Sequence, residues 1–154
     1  VPSDLSTWLA LDVTESQEVI EIAWDDSALI GSLDLQWLPR TVEALSVHNN
    51  NLCGEIDFTD LPPGMYHMDM SDNSFEGTLF LQNLPKELDS LFAYHNFLCG
   101  TLFLETLPPN LRYLDLDENF FSGTVCLTKL PETLLELNIR KNRLSACQME
   151  NRLY

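Results

Sequence analysis

Residues 107–129 read Leu107-Pro108-Pro109-Asn110-Leu111-Arg112-Tyr113-Leu114-Asp115-Leu116-Asp117-Glu118-Asn119-Phe120-Phe121-Ser122-Gly123-Thr124-Val125-Cys126-Leu127-Thr128-Lys129. The fixed positions are L-P-x-x-L-x-x-L-x-L-x-x-N-x-L-x-G-x-L-x-L-x-x, with Phe121 and Val125 standing at two leucine places. The unit recurs on both sides. Leu-Pro occurs at Leu38-Pro39, Leu61-Pro62, Leu84-Pro85, Leu107-Pro108 and Leu130-Pro131, 23 residues apart each time. Asparagine repeats with the same step at Asn50, Asn73, Asn96, Asn119 and Asn142, and glycine at Gly31, Gly54, Gly77, Gly100 and Gly123. Three independent columns at one period, without an insertion, mark a repeat architecture whose units bury their apolar sides against their neighbours.

The pattern weakens at both ends. A degenerate copy covers about residues 15–37, with Ile22, Trp24, Leu29, Gly31, Leu33 and Leu35 in register but Ser27 in the asparagine column. The last copy keeps Leu134, Leu137, Ile139, Asn142 and Leu144, then loses the pattern at Ala146. The expected organisation is an N-terminal cap over 1–14, a solenoid of about six 23-residue repeats over 15–144, and an end segment over 145–154. Residues 3–13, from Ser3 to Val13, suit a short capped helix that covers the open end with Trp8, Leu9 and Leu11.

Inside each unit the alternation L-x-L, as in Leu114-Asp115-Leu116, has the period of a half-buried strand. Stacked copies make a parallel main sheet in which Leu45, Met68, Leu91, Leu114 and Leu137 form one apolar column. The Gly-x-L-x-L half, for example Gly77-Thr78-Leu79-Phe80-Leu81, also alternates and predicts a second sheet of short strands. The asparagine column suits a buried turn, because an amide offers both donor and acceptor to stranded backbone groups of its own and the next repeat. The glycine column marks a backbone bend. Proline at the return corner fixes φ and removes a donor.

The run Leu111-Arg112-Tyr113-Leu114-Asp115-Leu116-Asp117-Glu118-Asn119-Phe120-Phe121 resembles the leucine-rich-repeat motif L-x-x-L-x-L-x-x-N-x-L. The Gly-x-L-x-L half resembles the plant-type and protist subclasses of that family, whose repeats carry a second strand. The resemblance runs over about residues 15–153. It implies a mainly β, right-handed, horseshoe-like solenoid and a role in protein binding.

Net charge is −16. Residues 1–110 hold 18 Asp and Glu against Arg40 and Lys86, whereas residues 111–154 hold six of each sign. Such a field repels nucleic acid and anionic lipid and attracts basic proteins. No apolar run reaches the roughly 18 residues of a membrane span. The start Val1-Pro2-Ser3-Asp4 lacks the basic and apolar regions of a signal peptide. Cys53, Cys99, Cys126 and Cys147 form no C-x-x-C pair, and no N-x-[ST] sequon occurs. Few cysteines and no sequons lean toward an intracellular or lightly processed protein. A secreted or surface location stays open. A bond between Cys126 and Cys147, in adjacent repeats, is conceivable; Cys53 and Cys99 lie two repeats apart, too far to bridge.

Strand residues that point away from the core line the open face of the main sheet. Register puts His48, His67, Asp69, Phe92, Tyr94, Tyr113, Asp115 and Asp117 there, and exposed aromatics ringed by polar groups suit a partner-binding hot spot. Phe80 and Phe103 form a second outward column. Catalysis is not expected. Asp115 and Asp117 share one face, but an open sheet gives neither the cleft nor the raised pKa of a paired-carboxylate site. Asp69 lies too far from Asp115 and Asp117 for a calcium cage. His48, His67 and His95 occupy different places in their repeats and do not converge as metal ligands. No cofactor is expected. The expected function is a non-catalytic interaction module for a basic protein partner, as a scaffold or complex subunit; the alternative is a plant-type recognition or adhesion ectodomain.

Overall fold

The computed structural model describes residues 11–146. Each 23-residue unit forms one coil. The first strand of each coil is short: β2 (Val19–Ala23), β4 (Ala44–Ser46), β6 (His67–Asp69), β8 (Ser90–Phe92), β10 (Tyr113–Asp115) and β12 (Glu136–Asn138). After a tight corner comes a second strand: β3 (Ile30–Ser32), β5 (Asn51–Glu55), β7 (Ser74–Thr78), β9 (Phe97–Thr101), β11 (Phe120–Val125) and β13 (Arg143–Ala146). Short 3-10 turns at Leu35–Trp37, Leu81–Asn83 and Leu104–Thr106 carry the chain away from the second sheet. Each Leu-Pro then opens a turn. The carbonyls of Pro39, Pro62, Pro85, Pro108 and Pro131 accept from the N–H three residues on, at 3.1–3.2 Å.

The main sheet stacks in parallel with Ile22, Leu45, Met68, Leu91, Leu114 and Leu137 side by side. These residues share one inward column because the pairing step equals the repeat length. The second sheet is also parallel, but its partners are Gly77 with Leu98, Cys99 with Phe120, and Ser122 with Arg143. Its step is therefore two residues shorter than the repeat. Equivalent residues slide by two positions per coil, about 6.6 Å along the strands.

A single apolar core fills the space between the sheets. Leu45, Met68, Met70, Phe75, Leu91, Leu98, Leu114 and Phe121 lie in it fully or almost fully buried. No coil could bury these side chains alone, so the core is shared between neighbours.

Two expectations are corrected. Residues 3–10 of the predicted cap helix lie outside the described residues. Its last part, Leu11–Val13, is strand β1, antiparallel to β2 with Leu11 opposite Ile22 and Asp12 opposite Glu21. The physical reason is the free edge of β2, whose backbone donors and acceptors need partners that a helix cannot supply. The second strand was expected to start at the glycine, as in Gly77–Leu81. It runs from Ser74 to Thr78, and Leu81 already belongs to a 3-10 turn. Gly77 sits inside β7 at φ +82, and Gly100 inside β9 at φ +86, where a Cβ would come within 2.6 Å of the Thr78 hydroxyl. The alternation of buried Leu79 and Leu81 around exposed Phe80 thus belongs to the bend after the strand.

The asparagine side chains bond backward through the solenoid. Asn96 Oδ1 accepts from Phe75 N at 2.9 Å, and its Nδ2 donates to Met70 O (3.1 Å), Ala93 O (3.3 Å) and Tyr94 O (3.1 Å). Asn73, Asn119 and Asn142 repeat this pattern. Each amide therefore serves its own coil and the preceding one, not the next. Asn50 shows why Ser27 suffices upstream: its Oδ1 takes both Ser27 N and Leu29 N, so the first corner is satisfied from the second coil.

Candidate functional site

Alternation along the main-sheet strands turns one set of side chains outward. Two rows matter most. His67, Ser90 and Tyr113 are register neighbours in the first, and Asp69, Phe92 and Asp115 in the second. Beyond the strand ends lie His48, Ser71, Tyr94 and Asp117. Phe92, Tyr94, Tyr113 and the carboxylates of Asp69, Asp115 and Asp117 are all half-buried. The structure therefore places all eight face residues named from the sequence on one side of the sheet.

Small residues between the large ones determine the local packing. Ser71 is fully buried because His48 and Tyr94, two coils apart, close over it with ring centroids 6.2 Å apart. His48 Nδ1 lies 3.0 Å from Ser71 Oγ. His67 Nδ1 reaches Ser90 Oγ at 2.8 Å, and its ring packs against Phe92 at 5.9 Å. Arg112 lies 5.4 Å over the ring of Tyr113.

The carboxylates are held by local bonds. Asp69 Oδ1 accepts from Ser71 N at 2.9 Å and from the Ser71 hydroxyl. Asp115 accepts from Asp117 N (2.9 Å) and from Asn138 Nδ2 (3.0 Å). Asp117 Oδ2 lies 3.7 Å from Lys141 Nζ, while its buried Oδ1 has no donor among the described residues. The combined field is felt at Tyr94. The Ser71 hydroxyl, bonded to the phenol, lowers its pKa. Partial burial and the charges of Asp69, Asp72 and Asp115 outweigh that bond and hold the group above its ordinary value.

Beside this face runs a corner ladder that the sequence reading did not single out. Asp72, His95, Glu118 and Lys141 all precede the ladder asparagines and all adopt positive φ, 50–51°. His95 places Nδ1 2.7 Å from Asp72 and Nε2 2.7 Å from Glu118. Lys141 pairs with Glu118. His48 also approaches Asp72, at 3.6 Å. Two histidines from different repeat positions thus meet at one carboxylate, because the corner brings the end of the strand beside the next coil's turn. Among the described residues no cluster of three or more His, Cys, Asp or Glu is arranged to hold a metal.

One position beyond the asparagines, Phe97 and Phe120 stack nearly parallel, 6.0 Å apart, and Arg143 lies 4.7 Å over the ring of Phe120. The signal was present as a column, Ser74, Phe97, Phe120, Arg143. It was missed because the second strand was expected to begin at the glycine. Phe80 and Phe103 are exposed, but they precede the 3-10 turns and are not in the second sheet. Cys147 lies outside the described residues, so the suggested link to Cys126 does too.

Residues 110–130 match the Leucine Rich Repeat family model. That match covers one repeat, and the same 23-residue coil with its asparagine recurs along the described residues. The chain is a leucine-rich-repeat protein with plant-type repeats. Solved structures agree with this leucine-rich-repeat assignment. The ectodomain of the Arabidopsis receptor kinase HAESA, bound to an N-terminally extended IDA peptide hormone, is 26% identical with a TM-score of 0.73, over 90% of this chain and 24% of that one. The PEPR1–AtPEP1 structure is 26% identical with a TM-score of 0.79, over 93% of this chain and 21% of that one. The ectodomain of SOBIR1 from Arabidopsis thaliana shares the fold at 22% identity and a TM-score of 0.77, over 91% of this chain and 85% of that one. The leucine-rich-repeat chain thus spans about a quarter of the HAESA ectodomain. No curated protein matches its sequence. No helix among the described residues is long and apolar enough to cross a membrane.

Proposed function

We propose that the chain is a non-catalytic protein-interaction module whose open main-sheet face takes a segment of a basic protein or peptide. One observation carries this reading: Phe92, Tyr94 and Tyr113 stand together on an uncovered sheet face among the carboxylates of Asp69, Asp115 and Asp117. Aromatic rings supply apolar area at small entropic cost, and the carboxylates supply counter-charge to Lys or Arg. HAESA and PEPR1, which resemble this chain at 26% identity, were solved with an IDA peptide hormone and with AtPEP1. The face has no enclosed cleft, which argues against a hydrolytic role for Asp115 and Asp117.

The test is selection from a displayed library of random peptides, followed by titration of the enriched sequences. Enriched peptides should carry Lys or Arg, and Tyr94→Ala should weaken their binding about 10-fold to 100-fold. Enrichment of acidic sequences, or binding indifferent to Tyr94→Ala and Asp115→Asn, would remove the open face from consideration. A second reading makes this module part of a recognition ectodomain at a cell surface, and the likeness to the HAESA ectodomain favours it. Protease accessibility of the native protein on intact cells separates the two settings.

A further inference from the structure

The outward face of the second sheet carries a strip that the main-sheet reading does not use. Its column runs Ser74, Phe97, Phe120 and Arg143 across β7, β9, β11 and β13. Alternate residues Phe75, Leu98 and Phe121 point inward and are fully buried, so the column points outward. Phe97 and Phe120 remain 53% and 38% exposed although they stack on each other. That exposure leaves an apolar area in the middle of the strip.

The two ends of the strip have opposite charge. Glu76 is the register neighbour of Phe97, and Glu55 is the register neighbour of Glu76. Both glutamates are exposed, and neither has an ion-pair partner among the described residues. Like charges on adjacent strands repel, so this end lacks a counter-charge. At the other end Arg143 covers Phe120 and has no ion-pair partner among the described residues, while nearby Lys141 is already paired with Glu118.

We propose that this strip is the contact face of a weak two-fold dimer, in which its occupant is a second copy of the chain. A two-fold axis lying in the face, between the two rings, turns the strip end for end. Phe97 then meets Phe120 of the second copy, and Arg143 meets the Glu55–Glu76 end. An isologous contact requires such self-complementarity. A generic basic partner would suit the glutamates but meet repulsion from Arg143. An acidic one would face the reverse. Only a chain that is itself acidic at one end and basic at the other matches both. The net charge of −16 opposes association at long range, but at physiological salt a Debye length of about 8 Å screens remote charges and leaves the contact charges to decide. Four strands about 4.8 Å apart and about five residues long cover roughly 300 Å². That is below the ~800 Å² per partner of a standard stable interface, so the dimer is weak and concentration-dependent.

Sedimentation equilibrium of the chain from about 10 µM to about 1 mM tests the proposal. The apparent mass should rise above 17.6 kDa toward twice that value. Glu76→Lys and Arg143→Glu, both at exposed positions, should each weaken association about 10-fold or more. Mixing the two variant chains in equal amounts should restore it, because each reversed charge then faces its opposite. A mass of 17.6 kDa at every concentration overturns the proposal. So does association that ignores both substitutions, or a mixture that stays as weak as either variant alone.

Discussion

The coil containing β8 and the last coil, containing β12 and β13, carry the same motif in different surroundings. Leu91 is completely buried between Met68 and Leu114, whereas Leu137 has a strand neighbour on one side only among the described residues and stays half-exposed. Their asparagines do not differ in this way. Asn142 makes the same bonds as Asn96: Oδ1 accepts from Phe121 N at 3.0 Å, and Nδ2 donates to Leu116 O, Ile139 O and Arg140 O at 2.9–3.2 Å. Polar satisfaction reaches back to the preceding coil, so it is complete even in the last one. Apolar burial needs a neighbour on each side. The two kinds of stabilisation therefore fall off differently toward the end of the solenoid.

The largest expected effect comes from the buried polar position. Asn96→Asp puts a carboxylate oxygen against three carbonyl oxygens where the amide nitrogen donated. It should cost roughly 3–5 kcal/mol in urea denaturation. Asn142→Asp has the same bonds but partial solvent access, and should cost about 1–2 kcal/mol. Equal losses would show that exposure does not distinguish the coils. Next comes the apolar pair. Leu91→Ala should cost about 2–5 kcal/mol, with Leu137→Ala below it by at least about 1 kcal/mol. If Leu137→Ala proved as costly, something would have to cover the last coil. The smallest effect lies on the open face. Tyr94 should titrate above 10.0, and Asp115→Asn should bring its midpoint back toward that value in a spectrophotometric titration. Folding favours the neutral phenol here. The associated stability is therefore full below about pH 10 and is lost as pH rises through the raised pKa. An unmoved midpoint in Asp115→Asn would mean that burial and the charges of Asp69 and Asp72, without that of Asp115, set the phenol.

Several parts of the site were legible beforehand. Strand alternation was enough to put Phe92, Tyr94 and Tyr113 on one side, because side chains alternate with a period of two whatever the surrounding fold. The contacts of those residues were not legible. That His48 reaches Tyr94 depends on Ser71 being small in the coil between them. That His95 lies between Asp72 and Glu118 depends on the positive φ shared by the corner residues. The Phe97–Phe120–Arg143 strip stayed hidden because the second strand starts before its glycine. Periodicity shows that a segment alternates, but not where its hydrogen bonding begins.

The 23-residue period, the inward leucine column and the choice of asparagine at the corner were determined by the sequence alone. A repeated unit has few ways to bury its apolar side except against its own copy. The tertiary structure decided the remainder. It set the direction in which each asparagine bonds, the two-residue slide of the second sheet, and the pairing of Leu11–Val13 as strand β1 on the edge of β2. Each of these depends on where one coil's backbone groups fall beside those of the next, a distance that no single repeat contains.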